Sequence, residues 1–299
     1  MEYNKKRLNF SQIESESFRC AEPTIYEIMW DGVKFEFFIN YKPMSNKAVI
    51  FGSGAKRADR RDSFPLFDRI SWADALSCTG IWYFDPTMYI NDEILVGWGY
   101  GTNDRWYVKD IARIIEIILK KFNIPEKNTL FYGSSAGGFT SIILATMFRS
   151  KASVINAQFN LRDYSIPRQI SFLEKSVLKE GESLIEERIN VAEFMKKMNY
   201  VPFVHIVDNI QSTDDVVKQL SALTRDLAER KIDCSNRITI DFYYNEIGHN
   251  GMPKLEECLE TIKSDLNRKE PVEDIIDNTI KQGKKLAKKV LWNVRNLRP

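Results

Sequence analysis

Between the apolar run Thr129-Leu130-Phe131-Tyr132 and the helix-compatible run Phe139 to Phe148, the chain reads Gly133-Ser134-Ser135-Ala136-Gly137-Gly138. Few sequence features restrict a fold more. A G-x-S-x-G pattern that closes a strand and opens a helix is the setting in which a serine hydroxyl is carried on a sharp strand-to-helix turn, exposed above a sheet. Glycines two positions to either side let the flanking backbones pass each other there, because they bring no Cβ into the crossing. Ser135 is therefore the candidate nucleophile. The competing reading, a glycine-rich turn without chemistry, does not account for the strand before it, the helix after it or the late histidine downstream.

The chain has two histidines. His249 lies in Glu246-Ile247-Gly248-His249-Asn250-Gly251, directly after the strand-like run Arg237 to Tyr244. A base for a serine must titrate near neutrality and reach the hydroxyl, and a glycine-flanked loop after the last strand suits that placement. His205, inside the apolar run Val204 to Val207, reads as a core or strand-face residue.

In α/β-hydrolases the catalytic residues run in the order Ser, Asp or Glu, His. The segment Asp208-Asn209-Ile210-Gln211-Ser212-Thr213-Asp214-Asp215 follows a strand-like run at Pro202 to Val207 and opens a helix from about Val216. Asp214 is favoured over Asp208 because it lies in the loop. Asp215 ranks third, since an acidic pair before a helix is also an ordinary cap and dipole partner. Acyl transfer further needs donors aimed at the developing oxyanion. The backbone N–H of Ala136 is one, and Ser53 and Gly54, after the strand-like Ala48-Val49-Ile50-Phe51, are candidates for the second.

A coarse pass places strands at Thr24 to Trp30 and Val33 to Asn40, joined as an antiparallel hairpin by Asp31-Gly32, and then at 47–51, 80–84, 128–132, 153–156, 202–207 and 237–244. Helical patterns fall between most of them, at 104–122, 137–149, 214–230 and 254–266. This alternation predicts an α/β class: a mostly parallel sheet with an N-terminal antiparallel hairpin and helices on both faces. The charged, helical stretch 160–200 exceeds a single crossover and is expected to form a small cap over the pocket. With 299 residues, 43% of them hydrophobic, and no linker, one catalytic domain over 1–270 is expected.

Cys20, Cys78, Cys234 and Cys258 form no C-x-x-C pair, and no spacing suggests a metal, a phosphate loop or a dinucleotide site. The N-terminus lacks an apolar signal region and no run approaches 18 apolar residues, so a cytoplasmic protein is expected.

The elbow resembles that of serine α/β-hydrolase-fold proteins associated with bacterial capsule and surface-polysaccharide biosynthesis, including capsule O-acetyltransferases. So do Phe67-Asp68-Arg69-Ile70-Ser71-Trp72, Asp85-Pro86-Thr87-Met88-Tyr89, Gly97-Trp98-Gly99-Tyr100-Gly101, Asn156-Ala157-Gln158 and Gly248-His249. Together they span roughly residues 45 to 260. The resemblance implies Ser135 as nucleophile, His249 as base, and Trp98 and Tyr100 at the border of the substrate pocket; that family's acid usually follows its strand more closely than Asp214 does. It also implies acetyl-CoA as acyl donor, with no metal, and a glycan or small ester as substrate. Transferase and esterase share every catalytic residue, so a carboxylesterase or deacetylase remains the alternative, and a non-catalytic accessory protein in glycan assembly is the third class.

The last stretch stands apart. Between Asn278 and Pro299 there are seven basic side chains and no acid, while the whole chain carries a net charge of +2, so the remainder is acidic. Ile276, Ile280, Gly283, Ala287, Val290, Val294 and Leu297 recur at alternating spacings of four and three, which predicts a basic amphipathic helix over 271–299. Such a helix suits packing on its own domain, an anionic membrane surface at the inner face of the membrane, or a biosynthetic partner. A nucleic-acid partner is not expected, because aromatic and basic residues are not interleaved.

Overall fold

The structure is a computed structural model and describes residues 3–269. The expected basic helix over 271–299 lies outside the described residues. Among the described residues nine strands form one sheet in the order β1-β2-β3-β5-β4-β6-β7-β8-β9. They are β1 (Asn4–Asn9), β2 (Thr24–Trp30), β3 (Val33–Asn40), β4 (Ala48–Phe51), β5 (Thr79–Tyr83), β6 (Thr129–Ser134), β7 (Lys151–Ile155), β8 (Phe203–Asn209) and β9 (Ile238–Tyr243). The helices are α1 (Tyr107–Phe122), α2 (Ala136–Met147), α3 (Pro167–Val177), α4 (Val191–Met198), α5 (Ser221–Glu229) and α6 (Leu255–Leu266). The described residues up to Leu266 make one compact unit.

β2 and β3 pair antiparallel around Asp31 (φ 45°) and Gly32 (φ 78°), two positive φ values in succession, which match a turn whose twist suits a hairpin. β3 pairs antiparallel with β5, and from β4 to β9 every pairing is parallel. β1 is an addition to the expected elements: its polar sequence Asn-Lys-Lys-Arg-Leu-Asn has no strand alternation, and it is exposed along nearly its whole length, held parallel to β2 at the sheet edge by backbone pairing.

The central strands are buried on both faces and read as unbroken apolar runs, as a helix-covered parallel sheet requires. Phe51 of β4 stacks on Trp82 of β5 with centroids 4.5 Å apart. α1 turns Val108, Ile111, Ile114, Ile115 and Ile118 inward. α2 has no charged side chain and is buried from Ala136 to Thr146, consistent with a helix enclosed on all sides.

Of the stretch 160–200, α4 belongs to the main helical layer, packed on α2 and α5. The insertion between is clamped at its base. Asn160 and Asn190 bridge each other and both donate to Asp226 Oδ2 of α5, at 2.9 and 2.7 Å, in a buried position. Above this clamp α3 lies beside the loop before α1, where Leu95 N–H donates to Gln169 Oε1 at 3.2 Å. Among the described residues no helix is long and apolar enough to cross a membrane. All four cysteines are free.

Candidate active site

Ser135 occupies the turn between β6 and α2 with φ 54° and ψ −127°, a strained conformation for a residue with a side chain. Backbone contact explains why the turn is glycine-rich. A Cβ on Gly133 would lie 2.3 Å from the Gly137 carbonyl oxygen, and a Cβ on Gly52, at the end of β4, would lie 2.3 Å from the same atom. The Ser135 N–H donates to the carbonyl oxygens of Ile155 and Asn156 at 3.1 Å, which fastens the turn to the end of β7.

Ser135 Oγ lies 3.1 Å from His249 Nε2, and His249 Nδ1 lies 2.8 and 2.9 Å from the two carboxyl oxygens of Asp215. With Asp215 accepting from Nδ1–H, Nε2 is left bare to accept the serine proton. Burial pulls the His249 pKa down, but the hydrogen bond and charge of Asp215, with Asp214 and Asp208 adding to the field, outweigh it and leave the imidazole above the ordinary histidine value.

The carboxylate that meets the imidazole is therefore Asp215, which the expected order of Asp214, Asp208, Asp215 placed last. Both Asp214 and Asp215 lie in the first turn of a π-helical stretch, Asp214–Leu220, that leads into α5. Neighbouring helical residues point in well-separated directions, about 100° apart in an α-helix and somewhat less in this wider turn, and only one of the two faces the imidazole. Asp215 does: it is buried and also accepts from the Ser212 hydroxyl. Asp214 turns outward to Lys218, 2.6 Å away, with both side chains about half exposed.

Asp208, next to last in β8, lies behind this pair, wholly buried, with the backbone of Asn156 and Ala157 near its carboxyl and no side-chain partner among the described residues. Burial first and the neighbouring Asp215 charge second push its pKa up to about 7.

The loop carrying His249 is held by asparagines. Asn156 Nδ2 donates to the His249 carbonyl at 2.8 Å, and its Oδ1 accepts from Asn209 N–H at 2.8 Å. Asn209 Nδ2 donates to the carbonyls of Asn245 and Gly248 at 2.6 and 2.8 Å. His205 is on the strand face, as expected, between Asp241 and Asp265 at 2.9 and 2.8 Å, away from Ser135.

A cavity of about 480 Å³ opens over the serine, lined by Gly54, Arg69, Trp72, Ser135, Tyr164 and His249 among others. Of the expected oxyanion donors, Gly54 borders it, but its N–H donates to Asp68 Oδ2 at 2.6 Å. Ser53 is buried, with its backbone turned to the Tyr83 hydroxyl. Ala136 stands first in α2, where a helix leaves its N–H groups without intrahelical partners.

Trp98 and Tyr100 do not border the cavity. Both are fully buried, because the glycine-rich turn that carries them folds into the core. Trp98 is linked to the serine through Gln158: its Nε1–H donates to Gln158 Oε1 at 2.5 Å, and Gln158 Nε2 donates to Ser135 Oγ at 3.1 Å. Trp72 and Tyr164 are the aromatics of the cavity wall. Gln158 and Arg69 stood in the sequence blocks quoted above without an assigned role; only their proximity in space singles them out.

No family model and no curated protein matches the chain. Solved structures do. The capsule O-acetyltransferase of Neisseria meningitidis serogroup A aligns over 80% of this chain and 95% of its own, with a TM-score of 0.52 and 17% identity. Acetyl xylan esterase 1 from Thermoanaerobacterium sp. JW/SL YS485 aligns over 85% and 86%, with a TM-score of 0.52 and 14% identity. The acylaminoacyl peptidase of Pyrococcus horikoshii aligns over 84% of this chain but 42% of that longer one, with a TM-score of 0.57 and 11% identity. At these identities the likeness establishes architecture: the chain has the α/β-hydrolase fold.

Proposed function

We propose that this protein is a serine-dependent acyl-transfer enzyme with Ser135 as nucleophile, His249 as base and Asp215 as the orienting acid. The observation that carries this reading is the continuous hydrogen-bonded line from Ser135 Oγ through the imidazole to Asp215, at 3.1 and 2.8 Å. Ser135 Oγ attacks the acyl carbonyl while its proton moves to His249 Nε2, and Asp215 stabilises the resulting imidazolium. The Ala136 N–H faces the developing oxyanion, and Gln158 steadies the serine oxygen before attack. Collapse of the tetrahedral intermediate expels the first leaving group, which takes the proton from His249. A second hydroxyl then repeats the sequence in reverse.

Whether that hydroxyl belongs to a sugar or to water separates two readings. The similarity to a capsule O-acetyltransferase along nearly the whole of that protein favours transfer of an acetyl group from acetyl-CoA to a bacterial glycan. The His249 side chain, 36% exposed, favours the second reading, hydrolysis of a glycan or small ester, because water reaches the base directly.

Labelling by a fluorophosphonate tests the shared part. Ser135→Ala should abolish labelling and lower turnover on the order of 10⁶-fold, the scale of losing a triad serine; undiminished labelling refutes the assignment. Incubation with acetyl-CoA, with and without a capsule-type oligosaccharide, then separates the readings. Release of CoA that depends on the acceptor indicates transfer, and ester cleavage without transfer indicates hydrolysis.

A further inference from the structure

The cavity over Ser135 holds a charge that no carboxylate among the described residues neutralises. Asp68 accepts from Lys56 Nζ and from Gly54 N–H, each at 2.6 Å, and the Lys56 side chain is itself buried. His249 is tied to Asp215. Arg69, also on the cavity wall, makes no ion pair among the described residues. Its Nη2 donates to Ser134 Oγ at 2.6 Å and meets Met252 Sδ at 3.5 Å. Its guanidinium lies 5.5 Å from the ring centre of Trp72 and 5.7 Å from that of Tyr132.

This is an ordered cation. Two aromatic faces and a serine hydroxyl hold the planar group, and the other nitrogens of its fork remain for a guest. The backbone of Arg69 has φ 61°, a left-handed conformation uncommon for a non-glycine residue, which the surrounding fold maintains.

We propose that Arg69 recognises an anionic group, a carboxylate or a phosphate, on the molecule whose acyl carbon meets Ser135. Arg69, Ser134 and Ser135 line the same cavity, so an anion held by the guanidinium shares that cavity with the reacting carbonyl. A guanidinium fork matches both oxyanions with paired, charge-assisted hydrogen bonds. The inference rests on the acyl-transfer reading of Ser135 and names the substrate class for it.

Three acetyl esters of matched phenols test it: 3-acetoxybenzoate, 3-acetoxyphenyl phosphate and the neutral methyl 3-acetoxybenzoate. The intact protein should prefer an anionic ester, and the better of the two identifies the group as carboxylate or phosphate. In Arg69→Gln the anionic-to-neutral ratio of kcat/KM should fall about tenfold to a hundredfold, the worth of a hydrogen bond to a charged group. A purely structural role for Arg69 would lower both activities together and leave the ratio unchanged, which would overturn the proposal.

Calorimetric binding of 3-hydroxybenzoate and phenyl phosphate gives a second measure that needs no turnover. Both should bind the intact protein more tightly than Arg69→Gln; equal binding, or none to either, overturns the proposal. Should fluorophosphonate labelling and ester turnover both be absent, the acyl-transfer reading fails while this comparison still judges Arg69. If Arg69→Gln does not fold, Arg69→Lys is held to the same ratio, which should fall less because a point charge replaces the fork.

Discussion

The two halves of the candidate site are built by different means. The serine side is a backbone structure. A Cβ on Gly52 or Gly133 would stand 2.3 Å from the Gly137 carbonyl oxygen, one on Gly137 would stand 2.9 Å from that of Gly52, and the turn itself, Gly133 to Gly137, is one contiguous run of sequence. The base and acid side is a side-chain structure: the loop bearing His249 and the turn bearing Asp215 come from different parts of the chain and are joined by Asn156, Asn209 and Asn245. The first half tolerates no added atom. The second depends on which way individual side chains face, so its substitutions should have graded effects.

The largest effect that would sharpen this contrast is in the acidic pair. Asp215→Asn should lower turnover on the order of 10⁴-fold, the scale of converting a triad acid to its amide, whereas Asp214→Asn should stay within a few-fold. Steady-state kinetics on any accepted ester decides between them, and the reverse ranking would move the acid to Asp214.

Next comes the contrast in glycines. Gly133→Ala should cost about 3 kcal/mol of stability or prevent folding, because the new methyl meets backbone that cannot move aside. Gly248→Ala, with φ +71° and its nearest neighbour at 3.9 Å, should cost only about 1 kcal/mol, the penalty of a left-handed residue. Thermal or urea unfolding compares them, and equal losses would dissolve the distinction between the two halves.

A smaller effect concerns Asp208. Its carboxyl is raised in the folded state to about 7, above its unfolded value, so the native state binds the extra proton and stability falls as pH rises from about 4 to 7. Asp208→Asn mimics the protonated form. It should leave stability at pH 4 nearly unchanged and raise it at pH 8, by a few kcal/mol at most. A gain of equal size at both pH values would mean that the carboxyl does not titrate there.

The mildest change is a displaced pH profile. The base must be neutral, and its pKa is raised, so the acid limb of kcat/KM should have its midpoint above the ordinary histidine value of about 6.5. In Asp215→Asn the midpoint should move to lower pH, since the carboxylate that holds the proton is gone. An unshifted limb would show that another group governs it.

The helices and central strands were legible because burial imposes a period on the sequence. α1 shows its apolar face at helical spacing, β4 is an unbroken apolar run, and β6 carries Leu130, Phe131 and Tyr132 in succession. β1 was not legible, since an exposed edge strand held by backbone pairing leaves no apolar signature. Trp98 and Tyr100 misled for a related reason. An aromatic in a glycine-rich turn reads the same whether the turn faces a pocket or folds into the core, and here it folds into the core.

By itself the sequence determined the α/β class, the serine turn and the loop that brings His249 to it, because a close backbone crossing demands glycines at particular positions and a buried sheet demands runs of apolar residues. Only the tertiary structure decided among Asp208, Asp214 and Asp215. Three carboxylates within eight residues are equivalent in composition, and what separates them is direction: one is sealed behind the site, one turns to Lys218 in solvent, and one meets the imidazole. Direction comes from helical phase and from the packing of β8 and its loops, which no local pattern of residues encodes.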